Sequence, residues 1–321
     1  MKNKLVSVIM STYNENEIHL RQAIDSIITQ KYNNLEIIIV IDNPENKELV
    51  KILNQYKETD KRITIIMNNK NIGLVASLNK ALSVCKGEYI ARMDADDISL
   101  PNRILNQVEY LEIHKNIDLI GCDLTLIDNL GNKINSNRKL IKGYENIKKN
   151  LILKQCVAHP SWVFRKRILV DYQLWGYREV KYCEDYDFLF RLVLKGGTIE
   201  NLDTKLLKYR IRTNGVCQSN AYSQLVMVNK ISKSYYQATK TKRYNYESNT
   251  SYLLNTIIPI DSNNFRYYKY ILKVQSESQN WLLRTFCRVL VIPIQLMDKE
   301  LKYNLIKRFK MRIFLLKDMR G

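Results

Sequence analysis

Three acidic residues fall within four positions at Asp94-Ala95-Asp96-Asp97, directly after the strand-like run Tyr89–Met93. Helix N-capping employs one such side chain and leaves two without a structural reason. Carboxylates at this density suit a hard divalent cation, Mg²⁺ or Mn²⁺, shared with the phosphates of a substrate. Two further strand-like runs end in polar residues. Leu5–Ser11 leads into Thr12-Tyr13-Asn14-Glu15, and Leu35–Ile41 ends at Asp42. In open α/β sheets ligands bind beyond the carboxyl ends of the strands, so these three ends mark the candidate site.

The elements that must position them follow from periodicity. Strands are expected at Leu5–Ser11, Leu35–Ile41, Ile63–Met67 and Tyr89–Met93, separated by amphipathic stretches at Ile18–Thr29, Glu45–Tyr56 and Val75–Cys85. Strand–helix–strand alternation with β-branched strands predicts a mostly parallel sheet covered on both faces. Pro101 opens a further helix to about His114, as proline at a first helical position does. Ile117–Ile127 reads as a pair of strands closed by the turn Asn129-Leu130-Gly131-Asn132. A helix at Glu145–Lys154, a strand at Ser161–Phe164 and a helix at Asp185–Lys195, ended by Gly196-Gly197, come next. Strands at Thr198–Leu202 and Lys205–Arg210 complete this part, and from Ala221 the pattern is helical and rich in Tyr and Lys. The expectation is an α/β catalytic domain over residues 1–220 and a basic helical C-terminal region over 221–321.

Composition narrows the class. In 321 residues, 45% are hydrophobic and 26% charged, as in ordinary globular chains. Six scattered cysteines, with no C-x-x-C pair, disfavour a metal finger or a disulfide framework and fit a reducing compartment. Met1 to Lys4 lead straight into a strand, without a signal-peptide pattern. No apolar run approaches the roughly 18 residues of a membrane span. The net charge is +19; residues 1–220 carry 33 Lys and Arg against 26 Asp and Glu, and 221–321 carry 18 against 6. A tail this basic fits an anionic surface or nucleic acid. No nucleic-acid recognition motif accompanies it, and Asp94-Ala95-Asp96 would repel phosphate without a cation, so nucleic acid is not expected as a partner.

Ordered motifs give the chain a resemblance. Val6 to Glu15, Asn71-Ile72-Gly73-Leu74 with Asn79, Asp94-Ala95-Asp96, Glu184-Asp185-Tyr186-Asp187 and Tyr209-Arg210 occur in this order. Over most of residues 5–215 the sequence resembles a family 2 glycosyltransferase with the GT-A fold, a Rossmann-like sheet flanked by helices. The resemblance implies an inverting transfer of a sugar from a nucleoside-diphosphate sugar, UDP-linked by family expectation, to a hydroxyl of a glycan or lipid-linked acceptor. Surface polysaccharides such as capsule or O-antigen are the implied products.

The same resemblance implies residue roles. Thr12, Tyr13, Glu15 and Asp42 would surround the base and ribose, with Asn71, Gly73 and Asn79 nearby. Asp94 would hold the ribose or stand behind the cation, and Asp96 would ligate it. The cation would neutralise charge developing on the departing diphosphate. The Glu184–Asp187 group would supply the general base that a weakly nucleophilic sugar hydroxyl needs. Within it, Asp187 precedes Arg191 by four residues and can pair with it. Asp185 faces Phe188, Leu189 and Leu192 and is the preferred base, with Glu184 and His159 on the acceptor side.

Two departures from the family pattern stand out. Asp42 is followed by Asn43-Pro44-Glu45 where the family often has a second Asp, and Tyr209-Arg210 is followed by Ile211-Arg212 where it often has a cation-binding histidine. An arginine cannot ligate a cation, so Arg212 is expected on the diphosphate itself. In the tail, Lys302–Arg320 and Trp281–Met297 read as helices lying in a membrane interface, which would make the protein peripheral at the cytoplasmic face of a membrane. A nucleotidyltransferase is the alternative enzyme, disfavoured because no Gly-rich phosphate loop with an early lysine is present.

Overall fold

The structure, a computed structural model, describes residues 4–136, 138–212, 220–241, 245–254, 266, 268–272, 291–292 and 294–306. The chain divides into two compact units. The first comprises Met1–Asn150, Gln155–Glu179 and Glu184–Thr213, and the second Leu151–Lys154, Val180–Cys183 and Asn214–Gly321.

The first unit is built on strands that water cannot reach. β1 (Val6–Thr12) and β2 (Leu35–Ile41) each have six of seven residues buried, the pattern of parallel strands covered on both faces. With β3 (Ile63–Met67), β4 (Tyr89–Arg92), β5 (Ile98–Ser99), β6 (Leu119–Ile127), β7 (Val163–Arg165) and β8 (Ile199–Arg210) they form one eight-stranded sheet ordered β3-β2-β1-β4-β7-β6-β8-β5. β1 pairs in parallel with β2 and β4, β2 with β3, and β6 with β8. β7 runs antiparallel between β4 and β6, and β5 antiparallel to β8. The seven helices of this stretch are α1 (Glu17–Ile28), α2 (Lys47–Thr59), α3 (Leu74–Val84), α4 (Arg103–Ile113), α5 (Tyr144–Leu151), α6 (Ile168–Asp171) and α7 (Glu184–Leu194). The mixed, mostly parallel α/β architecture expected from the sequence is the one observed.

Topology positions the site. The ends of β1, β2 and β4 lie on one edge of the sheet because these strands are parallel. β7 points the other way, and Ala91 is in register with Val163. The residues just before β7 therefore lie beside the end of β4, where Arg92 N donates to Trp162 O at 2.9 Å. Asn16 caps α1 by accepting from Ile18 N and His19 N, and Asn46 caps α2 by accepting from Leu49 N.

The sequence expectation differs from the structure in several places. The helix expected from Pro101 begins at Arg103, the strand expected from Ser161 begins at Val163, and α6 has no counterpart in the expectation. Within Ile117–Ile127 there is a single strand, β6, because both of its partners come from later in the chain. The two expected strands at Thr198–Leu202 and Lys205–Arg210 are one, β8. Cys122 pairs with Leu202 and Asp123 with Lys205, so Asp203 and Thr204 bulge from the ladder as exposed residues. β5 has two residues, too few to carry a period.

In the second unit, α8 (Ala221–Lys240) buries Val226, Met227, Ile231 and Tyr235, and α9 (Tyr246–Thr250) follows. Asn229 Nδ2 donates to Glu300 O and Oε2, both at 3.0 Å. Of the expected interfacial helices, only residues 291–292, 294–297 and 302–306 lie within the described part, and these are helical. No helix among the described residues is long and apolar enough to cross a membrane.

Candidate active site

At the strand-end edge, two side chains singled out in the sequence hold loops. Thr12 is buried and its hydroxyl donates to Val40 O at 3.3 Å. The Asp42 carboxylate accepts from Ile72 N (2.8 Å), Gly73 N (2.9 Å) and Asn68 Nδ2 (2.9 Å), fixing the turn that carries Asn71 and Gly73. Gly73 has φ +87°, which disfavours a side chain there. Asn43, one of the departures from the family pattern, donates to Asn14 Oδ1 at 2.7 Å and so ties the β2 end to the β1 end. Tyr13 is exposed, and its N–H donates to Glu15 Oε2 at 2.8 Å. Burial pushes the Glu15 carboxyl up, and the charges of Asp96 and Arg212 both act on it.

The Asp94–Asp97 carboxylates are met by arginines. Arg92 NH2 lies 2.5 Å from Asp94 Oδ1, and Arg212 Nε lies 2.7 Å from Asp96 Oδ2. Burial and the Asp94 charge push Asp96 up to about 6. Asp97 is buried deeper; Oδ1 accepts from Arg210 N at 2.8 Å, Oδ2 has no partner, and burial holds its carboxyl well above the usual range. Arg210 donates to Asp96 O, Asp128 O, Asn129 O and Gln22 Oε1, gathering three segments under the cluster.

Arg92 is 3% exposed, and its Nε and NH1 have no hydrogen-bond partner. Its charge acts on Asp96 and, from the other side, on Glu184 and Asp185. Behind it, the fully buried Arg103 donates to Arg92 O at 2.6 Å and to Gln107 Oε1 at 3.1 Å. Among the described residues no carboxylate pairs with Arg103, and burial pulls it down to about 10.

The acceptor-side residues stand on the start of α7 and before β7. Asp185 Oδ2 accepts from Gln155 Nε2 and Oδ1 from Tyr186 N, both at 2.7 Å. Burial raises Asp185, and burial with the Asp185 charge pushes Glu184 up to about 8. His159 Nε2 meets the Tyr177 hydroxyl at 2.9 Å, and its ring stands edge-on to Trp162. Burial, with Arg92 nearby, drives His159 well below its usual value, so the imidazole is neutral. Asp187 is fully buried and pairs with Arg191 Nε at 2.8 Å, the contact the helical spacing predicts. Arg191 also donates to Leu174 O and Gly176 O, and Arg178 lies 3.6 Å from Asp187 Oδ1.

The expected residues thus divide in two. Asp94, Asp96, Arg212, Glu184 and Asp185 are gathered around Arg92 or paired beside it. Asn79 is employed elsewhere: its Nδ2 donates to Tyr177 O (2.9 Å) and its Oδ1 accepts from Tyr177 N (2.8 Å), so both amide atoms clamp the segment that carries Tyr177. Gly176 passes so close, at φ +107°, that a Cβ there would meet Asn79 Oδ1 at 2.4 Å. Arg92, Arg103, Gln155 and Tyr177 escaped sequence reasoning. Only Arg92 carried a signal, as a charged residue inside an otherwise apolar strand.

The donor set can be tested for a divalent cation. It consists of carboxylate oxygens, suited to a hard ion, with Asp96 foremost. Among the described residues no group of three His, Cys, Asp or Glu closes a protein-only cage. Mg²⁺ is commonly held by one or two carboxylates and completed by substrate phosphates and water, and Asp94 and Asp96 are carboxylates of that kind.

Comparison with known proteins follows the same lines. The sequence model of "Glycosyl transferase family 2" matches residues 7–172. An uncharacterized glycosyltransferase of Methanocaldococcus jannaschii is 38% identical over 217 residues, 66% of this chain and 72% of that protein. The O-antigen biosynthesis glycosyltransferase WbnJ of Escherichia coli is 33% identical over 218 residues, 67% of this chain and 83% of its own length. The mannosyltransferase PcManGT of Pyrobaculum calidifontis, solved with GDP-Man and Mn²⁺, shares the fold with a TM-score of 0.56 at 16% identity, over 95% of this chain and 86% of that one.

Proposed function

The chain belongs to glycosyl transferase family 2, and from that premise we propose that it moves a sugar, with inversion, from a nucleoside-diphosphate sugar to a hydroxyl of a glycan or lipid-linked acceptor. One observation carries the reading. The strand-end carboxylate Asp96 and the helix-start carboxylates Glu184 and Asp185 share the field of one buried guanidinium, Arg92. Two acidic groups with different partners around one cation suit a reaction that loses a diphosphate at one end and a proton at the other.

In this proposal Tyr13, Glu15, Asn71 and Gly73 receive the base and ribose, while Thr12, Asp42 and Asn79 act through the loops they hold. UDP is preferred on family resemblance. Asp96, with Asp94 behind it, holds Mn²⁺ or Mg²⁺. That ion, when bound, would supply positive charge to the diphosphate as the sugar leaves. Arg212 adds bidentate donors for the phosphate oxygens. Asp185 takes the acceptor hydroxyl proton as the oxygen attacks the anomeric carbon opposite the diphosphate, which inverts that centre. Gln155 holds the Asp185 carboxylate in place. Glu184 and the neutral His159 line the acceptor side.

The O-antigen relative supports a part in surface polysaccharide synthesis, capsule or O-antigen among the candidates. The proposed domain division is a catalytic part over 1–220 and a basic helical region over 221–321. The exposed Ile292, Leu296 and Met297 beside lysines favour peripheral attachment to an anionic membrane at its cytoplasmic face. Co-sedimentation with anionic but not neutral vesicles, weakened by salt, is the expected outcome; equal binding to both, or none, would leave the tail as ordinary packing.

A screen of nucleotide-sugars with Mn²⁺ tests the activity itself. Saturable hydrolysis or transfer of one donor is expected, abolished in Asp96→Ala while cooperative unfolding is kept. Turnover of no nucleotide-sugar under any acceptor would sink the proposal.

A further inference from the structure

Arg212 stands two residues beyond the end of β8 and reaches Asp96 Oδ2 through Nε at 2.7 Å. The contact is not an ordinary surface pair: the Asp96 side chain is 11% exposed and that of Arg212 38%. The buried carboxylate needs a countercharge, and Arg212 is the one that touches it. The neighbouring arginines are otherwise engaged. Arg92 is held by Asp94, and Arg210 is anchored by four side-chain contacts to backbone carbonyls and Gln22. Arg212 is thus the most exposed of the three guanidiniums.

A guanidinium paired with a carboxylate lowers that carboxylate's affinity for a hard cation. Arg212 donates hydrogen bonds and has no lone pair with which to ligate, and two positive charges on one carboxylate repel. We propose that Arg212 is an internal competitor for the divalent cation at Asp96, drawn off by a nucleoside diphosphate so that cation and diphosphate bind cooperatively. The diphosphate offers Arg212 two phosphate oxygens in the planar arrangement its fork prefers, a better partner than one carboxylate oxygen. Moving Arg212 there frees Asp96 for the ion, and the ion in turn strengthens the diphosphate site. By linkage the two effects are equal in size. The cation would then bind weakly to the free protein and assemble only with the donor, which rests on the reading of Asp96 as its ligand.

The test is Mn²⁺ binding to the full chain, read from the free-Mn²⁺ electron paramagnetic resonance signal, with and without uridine diphosphate. Without nucleotide, Arg212→Gln should bind Mn²⁺ about tenfold or more tightly than wild type, the scale of removing one close like charge from a partly buried site. Arg212→Lys, which keeps the charge, should stay near wild type, and Asp96→Asn in the Arg212→Gln background should lose the gain. Uridine diphosphate should tighten Mn²⁺ binding strongly in wild type and much less in Arg212→Gln. Equal nucleotide-free affinity in wild type and Arg212→Gln, or no Mn²⁺ binding by either, overturns the proposal. Nucleotide-free binding involves no sugar transfer, so this result and the nucleotide-sugar screen can fail separately.

Discussion

The two ends of the site solve the problem of buried negative charge differently. At the strand ends, Asp94 and Asp96 are each met by an arginine, Arg92 and Arg212. At the start of α7, Asp185 is met by neutral donors, Gln155 and a backbone N–H, and among the described residues no Lys or Arg ion-pairs with it or with Glu184. A carboxylate beside an arginine suits phosphate and metal work, and one held by neutral donors in a buried place suits proton transfer. One turn of the same helix sharpens the contrast. Asp187, two residues after Asp185, is enclosed by Arg191 and Arg178, which makes it part of the frame. Carboxylates two residues apart thus meet opposite surroundings.

The largest expected effect tests the proton-transfer end. Asp185→Asn should keep donor binding nearly intact and lower transfer by roughly 10²-fold or more, the scale of general-base loss. Transfer at a near wild-type rate would hand the role to Glu184. On the frame side, Asp187→Asn should leave the buried Arg191 without its countercharge and cost roughly 3 kcal/mol of stability in denaturant unfolding, with activity per folded molecule little changed. A variant as stable as wild type but inactive would reverse the assignments of the two aspartates.

The smallest effect concerns pH. Glu184 is held at about 8 against an ordinary 4.5. A carboxyl raised on folding stabilises the native state at low pH; that contribution is full below about 4.5 and is lost as the pH rises through about 8. Wild type should therefore lose stability between pH 5 and 8, and Glu184→Gln should lose less over the same window. An unchanged stability slope in Glu184→Gln would mean that Glu184 is not the group whose burial sets it.

Much of this site was legible before any coordinates. Asp94, Asp96 and Asp42 stand at strand ends because apolar runs with β-branched residues stop there, a property of the local chain. The pairing of Asp187 with Arg191 follows from a four-residue spacing on a helix. The partners of Asp185 and Asn79 were not legible. Gln155 lies 30 residues before Asp185, and Tyr177 lies 98 after Asn79; no period links such positions. The same holds for Arg103, which reads as an ordinary helix residue and is fully buried behind β4.

Sequence alone determined the strand and helix order of the first four strands, the sheet edge at which the polar strand ends stand, and which residue types stand there, since those depend on spacing and side-chain chemistry along one segment. Tertiary structure alone decided which carboxylates meet an arginine and which meet only neutral donors. That outcome depends on burial and on charges a few ångströms away, and antiparallel β7 and the end of β8 bring those charges from distant parts of the chain.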